Sequence, residues 1–371
     1  MSSKYKLEFT LKQHTPIIHF QSDQPGATLR STELKPKLDN FIRDDLKDID
    51  RTLYEKYKNL ITNEYYFPSD KGSSVYKIHI SASKIKEIEY KTYIKKENIS
   101  DTRQIGSYFG DLKAIQNSSI KITIKSLIPN MNELISEALK HVLIYENFGT
   151  RQTKGFGSFS LDIDQEQYEK ILKKKHPIFY KRTSNEPLKT INNDYQILKS
   201  GRNKPYTKSK LFEYMCNNKI RWEKKMIKTR MQENFPAVYK ELKYEHPPVT
   251  CNKNDRTYQY QYIRALLGTA EQNEYLKRDD NHSKDKIYIE IISLDNVQRY
   301  KSPITYKVFN NTIYVLPNPS KTIEGKRFDF RIKGQRQNLN DTPVTVPLDF
   351  NLVDFLDSTL TKDFGYQRIE A

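Results

Sequence analysis

Ser119-Ile-Lys-Ile-Thr-Ile-Lys-Ser-Leu127 is the cleanest alternation in the chain, with Ile120, Ile122 and Ile124 on one face. Period-two patterning of this kind marks a strand with one side buried. Immediately downstream, Met131 to Tyr145 carries Leu134, Ile135, Ala138, Leu139, Val142 and Leu143 at helical spacing, a stripe that predicts an amphipathic helix. Gly157 to Ile163 (GSFSLDI) then reads as a short strand. Upstream, residues 4–13 alternate through Tyr5, Leu7, Phe9 and Leu11 and predict another half-buried strand. Thr32 to about Tyr57 shows helical spacing, with Thr32 as N-cap and Pro36 in the first turn. Val75–Ile80 and Ile88–Tyr93 read as strands.

That order (strand, helix, strands, helix, strand) is the split βαβ arrangement of a ferredoxin-like, RRM-like domain on an antiparallel sheet. The predicted class is therefore α+β, with residues 1–165 as the first domain. Residues 166–371 predict a second α+β domain, which could also be ferredoxin-like. Within it, Tyr168–Arg182 reads as a short basic helix ending at Pro177, and 183–205 as a polar linker. Lys208–Phe235 reads as one long basic helix and Tyr258–Leu276 as another helix. Ile287–Leu294, Thr305–Phe309 and Thr312–Leu316 read as strands, the last two joined by a turn at Asn310-Asn311, since Asn tolerates positive φ. Val353–Leu360 predicts a short last helix. No sequence repeat relates the two halves.

At 371 residues the chain exceeds a typical single domain. Hydrophobic residues make up only 36%, but 26 Tyr and 17 Phe can still fill a core. The formal charge is +17, which attracts polyanions and releases their counterions on binding. Nucleic acid is the first partner implied. A membrane surface would call for a long apolar run or a basic amphipathic anchor, and the sequence has neither. Part of the lysine excess also fits an AT-rich coding bias, in which Lys, Asn, Ile and Tyr rise together. Cys216 and Cys251 lie far apart and in no metal-ligand spacing, and the N-terminus runs straight into a strand pattern. A cytoplasmic protein is expected, with no metal or other cofactor.

Two segments carry candidate chemistry. Phe148-Gly-Thr-Arg-Gln-Thr-Lys-Gly-Phe-Gly-Ser-Phe159 places Gly149, Gly155 and Gly157 around Arg151 and Lys154. Glycines let the backbone turn and approach a ligand, and exposed amides there form an anion-binding concavity. Phe148, Phe156 and Phe159 serve either to stack on bases or to anchor the loop. It is no nucleotide-binding P-loop: it lacks Gly-Lys-Ser/Thr and runs from helix to strand. The second segment, Gly26 to Asp39, clusters Arg30, Lys35 and Lys37 where a loop becomes a helix, a ready phosphate site. Its plainer reading is a solvated first turn in which Glu33 and Asp39 pair the lysines.

Together the two segments resemble the RAMP superfamily of CRISPR-associated proteins, which are ferredoxin-like and carry a glycine-rich loop late in the domain. Gly149 to Phe159 is similar to that loop, and Thr15-Pro16 with Arg30-Ser-Thr-Glu-Leu-Lys35 is similar to the early motif before the first helix. In the second half, Ala265-Leu-Leu-Gly268 and Arg299-Tyr-Lys-Ser-Pro-Ile304 resemble phrases of type III effector subunits. The early motif departs from the family where Lys35 is followed by Pro36, Lys37 and Asp39. A glycine loop in mid-chain fits the two-domain subunit of type III-B effectors better than the processing nuclease.

The resemblance implies an RNA-binding subunit of a type III CRISPR RNA-guided complex in antiviral defence, contacting guide or target RNA and neighbouring subunits, with no chemistry of its own. Arg30, Lys35, Lys37, Arg151 and Lys154 would hold phosphates, the three glycines would shape the loop, and Phe156 would stack on a base. The alternative is a metal-independent RNA-processing endonuclease, which needs a general base and acid. His14 or His19, flanking Thr15-Pro16, with Arg151, are its candidates. Tyr108, Asp111 and Lys113, and the pair Tyr108-Phe109 after Arg103, form a further loop group, read mainly as turn and anchor.

Overall fold

The computed structural model describes residues 5–19, 28–70, 72–88, 113–203, 205–242, 259–277 and 286–370. The chain opens with β1 (Lys6–Gln13) and β2 (Ile17–Ile18). Next, α1 (Ser31–Asn40) passes through a wider π turn at Phe41–Asp45 into α2 (Leu46–Ile49) and α3 (Arg51–Ile61). Then come β3 (Lys77–Ile88), β4 (Ala114–Lys125), α4 (Met131–Tyr145) and β5 (Phe159–Ser160). They are followed by α5 (Gln165–Lys175), β6 (Ile178–Thr183) and α6 (Pro187–Lys199).

Short elements succeed them: β7 (Arg202–Asn203), β8 (Tyr206–Thr207), α7 (Lys210–Asn217), β9 (Ile220–Trp222), α8 (Glu223–Asn234) and α9 (Pro236–Lys240). β10 (Gln259–Gln261), a 3-10 turn at Ile263–Leu267, β11 (Gln272–Leu276) and β12 (Lys286–Ser293) come next. The hairpin β13 (Ile304–Phe309) and β14 (Thr312–Pro317) precedes β15 (Arg327–Ile332), β16 (Val344–Thr345), α10 (Leu352–Leu356) and β17 (Gln367–Glu370).

By packing, the chain forms two compact units: Met1–Asn193 with Thr305–Leu316 and Gly365–Ala371, and Asp194–Ile304 with Pro317–Phe364. Compactness therefore does not divide the chain at residue 165. In the first unit one sheet has the order β3-β4-β1-β5, with every pair antiparallel and β2 beside β4 on β1's side. Numbered by appearance, with β2 taken as a continuation of β1, the strands lie in the order 4-1-3-2. The other sheet has the order β13-β14-β6-β17, which on the same count is again 4-1-3-2.

The expected alternation builds the first sheet. Ile120, Ile122 and Ile124 are buried with Leu11 against Leu134, Ile135, Ala138, Leu139 and Val142 of α4. On α5, Tyr168 stacks on Phe309 with ring centroids 4.3 Å apart and lies 5.1 Å from Tyr314, joining that helix to the second sheet. Asp50 and Asp164 start α3 and α5 by accepting from Leu53 N–H and Gln167 N–H. The second unit centres on the antiparallel sheet β11-β12-β15-β16, where Tyr262 packs edge-on against Phe328 and Phe330.

Several local expectations are corrected. The first helix begins at Ser31, and its cap is the extended Arg30 rather than Thr32. Residues 183–205 are not a linker, because α6 buries Leu188, Ile191 and Leu198, a stripe too thin to stand out among Asn and Lys. Lys208–Phe235 is two helices: Lys219 turns left-handed at φ 61°, and Ile220–Trp222 pairs in parallel with Gln259–Gln261. That pairing and Gly268 also prevent a helix over 258–276, where two strands flank a 3-10 turn. Residues 89–93 of the strand expected over Ile88–Tyr93 lie outside the described residues.

Adjacent positions on β4 test the register. Ile122→Ala should cost about 2–5 kcal/mol in urea unfolding, as for a buried aliphatic truncated to Ala. Lys121→Ala, on the exposed face, should stay within about 0.5 kcal/mol. The reverse ranking would mean that β4 is turned over.

Candidate functional site

The glycine-rich segment leaves the end of α4, where a helix has carbonyls without intrahelical partners. Lys307 meets them: its fully buried ammonium donates to Leu143 O (2.8 Å) and Glu146 O (2.6 Å). Burial pulls the Lys307 pKa down to about 7, with Glu146 opposing and Lys37 adding to the shift.

Beyond Glu146 the loop is pinned backbone to backbone. Phe148 N–H donates to Gly157 O (3.0 Å), Gly157 N–H to Pro16 O (2.9 Å) and Thr150 N–H to Ile18 O (2.7 Å). Thr15 Oγ1 donates to Gly155 O (2.6 Å) and accepts from Ser158 N–H (3.0 Å). Gly157 has φ 69°, and a Cβ there would sit 1.9 Å from Phe148 O. Gly149, at φ 79°, would place a Cβ 2.5 Å from Ile18 O. Only glycine fits at these two positions. Phe148, Phe156 and Phe159 are buried, so they act as anchors; Phe156, at 1% exposure, offers no ring face for a base.

The start of α1 is joined to this loop by residues whose role the sequence did not reveal. Glu33 accepts from Gly149 N–H (2.7 Å) and Gln152 Nε2 (3.3 Å). Lys37 donates to Asn147 O (2.8 Å), Glu146 (3.3 Å) and Gln152 Oε1 (3.3 Å). Lys35 donates to Asp39, Ser73 and Ser74 O, each at 3.0 Å. An ammonium has three donors, so both lysines are fully engaged as braces. Lys154 keeps its amine shielded from water and bridges through its backbone to Tyr306. Arg151 stands exposed at φ 55°, and Arg30 is half-buried at the helix cap.

His14 is held on both sides of its ring. Nδ1 accepts from Asn310 N–H (2.9 Å), which leaves the proton on Nε2, 2.8 Å from Ser160 Oγ. Burial, with Lys307 and Lys12 adding, lowers its pKa to about 3. His19 is buried, and burial followed by Arg30 lowers its pKa too. In His14 neither nitrogen is left to face a 2′-hydroxyl. Arg103, Tyr108, Phe109 and Asp111 lie outside the described residues, as does Cys251, while Lys113 pairs with Glu87 at 2.7 Å. His141 sits on α4 beneath Phe41, as a packed side chain. Among the described residues, no group of His, Cys, Asp or Glu could hold a metal, and no helix is long and apolar enough to cross a membrane.

In the second unit the two phrases noted in the sequence meet. Thr269 N–H donates to Tyr300 O (3.0 Å), and Tyr300 N–H donates back to Thr269 Oγ1 (2.8 Å). The basic run over 208–235 does not form one stripe. Lys210 pairs with Glu213 and Asp363, Arg230 pairs with Glu233, and Lys224 lies over the Trp222 ring. Buried Glu223 bonds Arg264 and accepts from Ile263 N–H.

With its glycine-rich loop folded back from the end of α4 onto the start of α1, the chain is a RAMP-type CRISPR-associated protein by its match to family models. Those models narrow this. Residues 4–202 match the Cmr1 N-terminal domain and 206–368 the Cmr1 C-terminal domain. The chain belongs to the Cmr1 family, a family of subunits of type III-B CRISPR effector complexes. No curated protein matches it significantly. Among solved structures, the crystal structure of Cmr1 from Pyrococcus furiosus (apo form) is similar over 99% of each chain, at 11% identity and a TM-score of 0.41.

Two outcomes follow from this geometry. Gly157→Ala should destabilise the chain by more than about 2 kcal/mol, since a left-handed side chain alone costs about 1–2 kcal/mol before the clash. A variant unfolding with the parent would disprove the close approach to Phe148. His14 has a folded pKa below its ordinary 6.5, so the unfolded chain binds more protons between about 3 and 6.5. Stability is then lost as pH falls through that window. His14→Gln should flatten the fall of the unfolding midpoint from pH 6.5 to 4; an unchanged slope would show that His14 is not held neutral.

Proposed function

We propose that this effector subunit binds RNA at the edge where the glycine-rich loop meets the start of α1, and that it does so without catalysing cleavage. The observation that carries this reading is the hydrogen bond from Gly149 N–H to Glu33, which brings the Arg151 and Arg30 segments to one place. Arg151 and Arg30 would contact phosphates. Lys35, Lys37, Lys154, Gly149, Gly155, Gly157 and Phe156 would hold the shape of the edge, because their polar groups or rings are already turned into the protein. The formal charge of +17 supports a polyanionic partner, and membership of an RNA-guided complex supports guide or target RNA and neighbouring subunits as partners, in the cytoplasm and in antiviral defence.

The same reading takes both four-stranded sheets as ferredoxin-like. Their shared order, 4-1-3-2, is that of a split βαβ domain, and it supports a first domain ending near residue 165 and a second beginning with α5. The nuclease alternative finds no support in His14, whose ring nitrogens both serve the fold.

A single-stranded RNA titrated by fluorescence anisotropy across a salt series tests the site. Arg30→Ala with Arg151→Ala should lower the slope of log affinity against log salt by about 1.4, at about 0.7 per phosphate on a single strand. Lys37→Ala should instead lower the unfolding midpoint. An unchanged slope in the arginine variant would remove the loop edge from the RNA path.

A further inference from the structure

We propose that the open face of the first sheet is a second binding surface for the phosphate backbone of single-stranded nucleic acid, separate from the loop edge. The face is set by register. Lys77, Lys125 and Lys6 are direct cross-strand partners, so three lysine side chains leave the same face in one row. The next outward rows are His79, Thr123 and Glu8, then Ser81, Lys121 and Thr10. Lys12 continues β1 opposite Ser160. The residues between these rows point the other way: Leu11, Ile120, Ile122 and Ile124 are buried, with Phe9, Ile78 and Ile80 packed against them.

Like charges placed directly opposite destabilise a sheet. On these rows five lysines face a single carboxylate, Glu8, which already pairs with Lys6 at 2.6 Å. Lys6, and with it Lys121, holds the Glu8 carboxyl below its ordinary value, which places the Lys121 amine within its field. The remaining positive charge is regularly spaced along the face, and Thr10 and Ser81 stand beside Lys121 as hydroxyl donors, while the Thr123 hydroxyl bonds the Glu8 carboxylate. Phosphate contacts are made by such lysines and hydroxyls.

The rows fit nucleic acid better than protein. Protein interface cores are enriched in aromatic residues and depleted in lysine, and these outward positions hold no Phe, Tyr or Trp. Lacking rings, the face has no stacking platform and would grip the backbone without reading bases. From Lys6 to Lys12 it extends about 20 Å along β1, and from Lys6 to Lys77 about 10 Å across the strands. At about 3.4 Å per stacked nucleotide, that length takes about six nucleotides.

The test is anisotropy of a fluorescein-labelled oligouridylate across a KCl series, using the full chain. Lys6→Ala, Lys77→Ala and Lys125→Ala are combined, in the parent and in the Arg30→Ala, Arg151→Ala background. In both, the triple change should lower the log–log salt slope by about 2, at about 0.7 per phosphate, and weaken binding about a hundredfold at 0.1 M salt. The thermal midpoint should hold or rise, because a like-charge row has been removed. The matching Lys→Arg triple should retain binding. Unchanged slope and affinity in the Ala triple would overturn the proposal. So would unchanged RNA binding together with loss of binding to labelled polyglutamate, which would make the face a dock for an acidic protein.

Discussion

Gly157 passes so close to Phe148 that only a hydrogen atom fits between them, and both four-stranded sheets of the first unit are fastened at that crossing. Phe148 N–H reaches Gly157 O, while Gly157 N–H reaches Pro16 O just past β1. One residue on, Ser158 Oγ donates to Val308 O on β13 (2.7 Å), and its backbone N–H donates to Thr15. On the other side of the crossing, Asn147 Nδ2 bridges Gln152 O (2.6 Å) and Tyr306 O (2.8 Å). A side chain at Gly157 would therefore push apart β1, the end of α4 and β13 together. The loop is first a structural joint, and any ligand meets only its outer side.

Sequence patterning located the elements whose signal is local. The helix expected over Met131–Tyr145 has those limits, because its apolar stripe is dense and the chain turns away at both ends. The hairpin at Asn310-Asn311 also stands, with Asn310 at φ 53°. What escaped was decided by distant partners. Nothing in 217–222 says that Ile220–Trp222 will pair with Gln259–Gln261 rather than continue a helix. Likewise Glu33, Thr15 and Lys307 have no local mark of belonging to the glycine loop. They are recognisable only once Gly149, Gly155 and the carbonyls ending α4 are placed beside them.

The same limit applies to the basic residues. Composition counts every lysine as a cation available to a polyanion, but an ammonium surrounded by carbonyls is a fastener. Lys35 and Lys37 use their donors inside the fold, and burial brings Lys307 to about 7, near neutrality's midpoint for that amine. In the second unit, burial lowers Lys199 and Lys224 to about 8. The formal +17 thus overstates what the surface offers near the loop. Among the described residues, exposed lysines do remain where alternation turned them outward, as in the rows of the first sheet.

The strand order 4-1-3-2 occurs twice although no sequence repeat relates the halves. Topology of this kind constrains connections more than side chains: each helix must carry the chain across a strand that arrives from elsewhere. In the second run those connections are long. One leads from β6 through α6 to β13, and another from β14 to β17. Asp194–Ile304 and Pro317–Phe364, the two segments that make the second compact unit, lie within these connections. The second unit is therefore built from insertions between strands of the second sheet, which is why compactness and chain order divide the molecule differently. A reading that moves along the sequence meets the inserted strands before β13 and β14, and so sees an irregular α+β region where the same sheet order is being repeated.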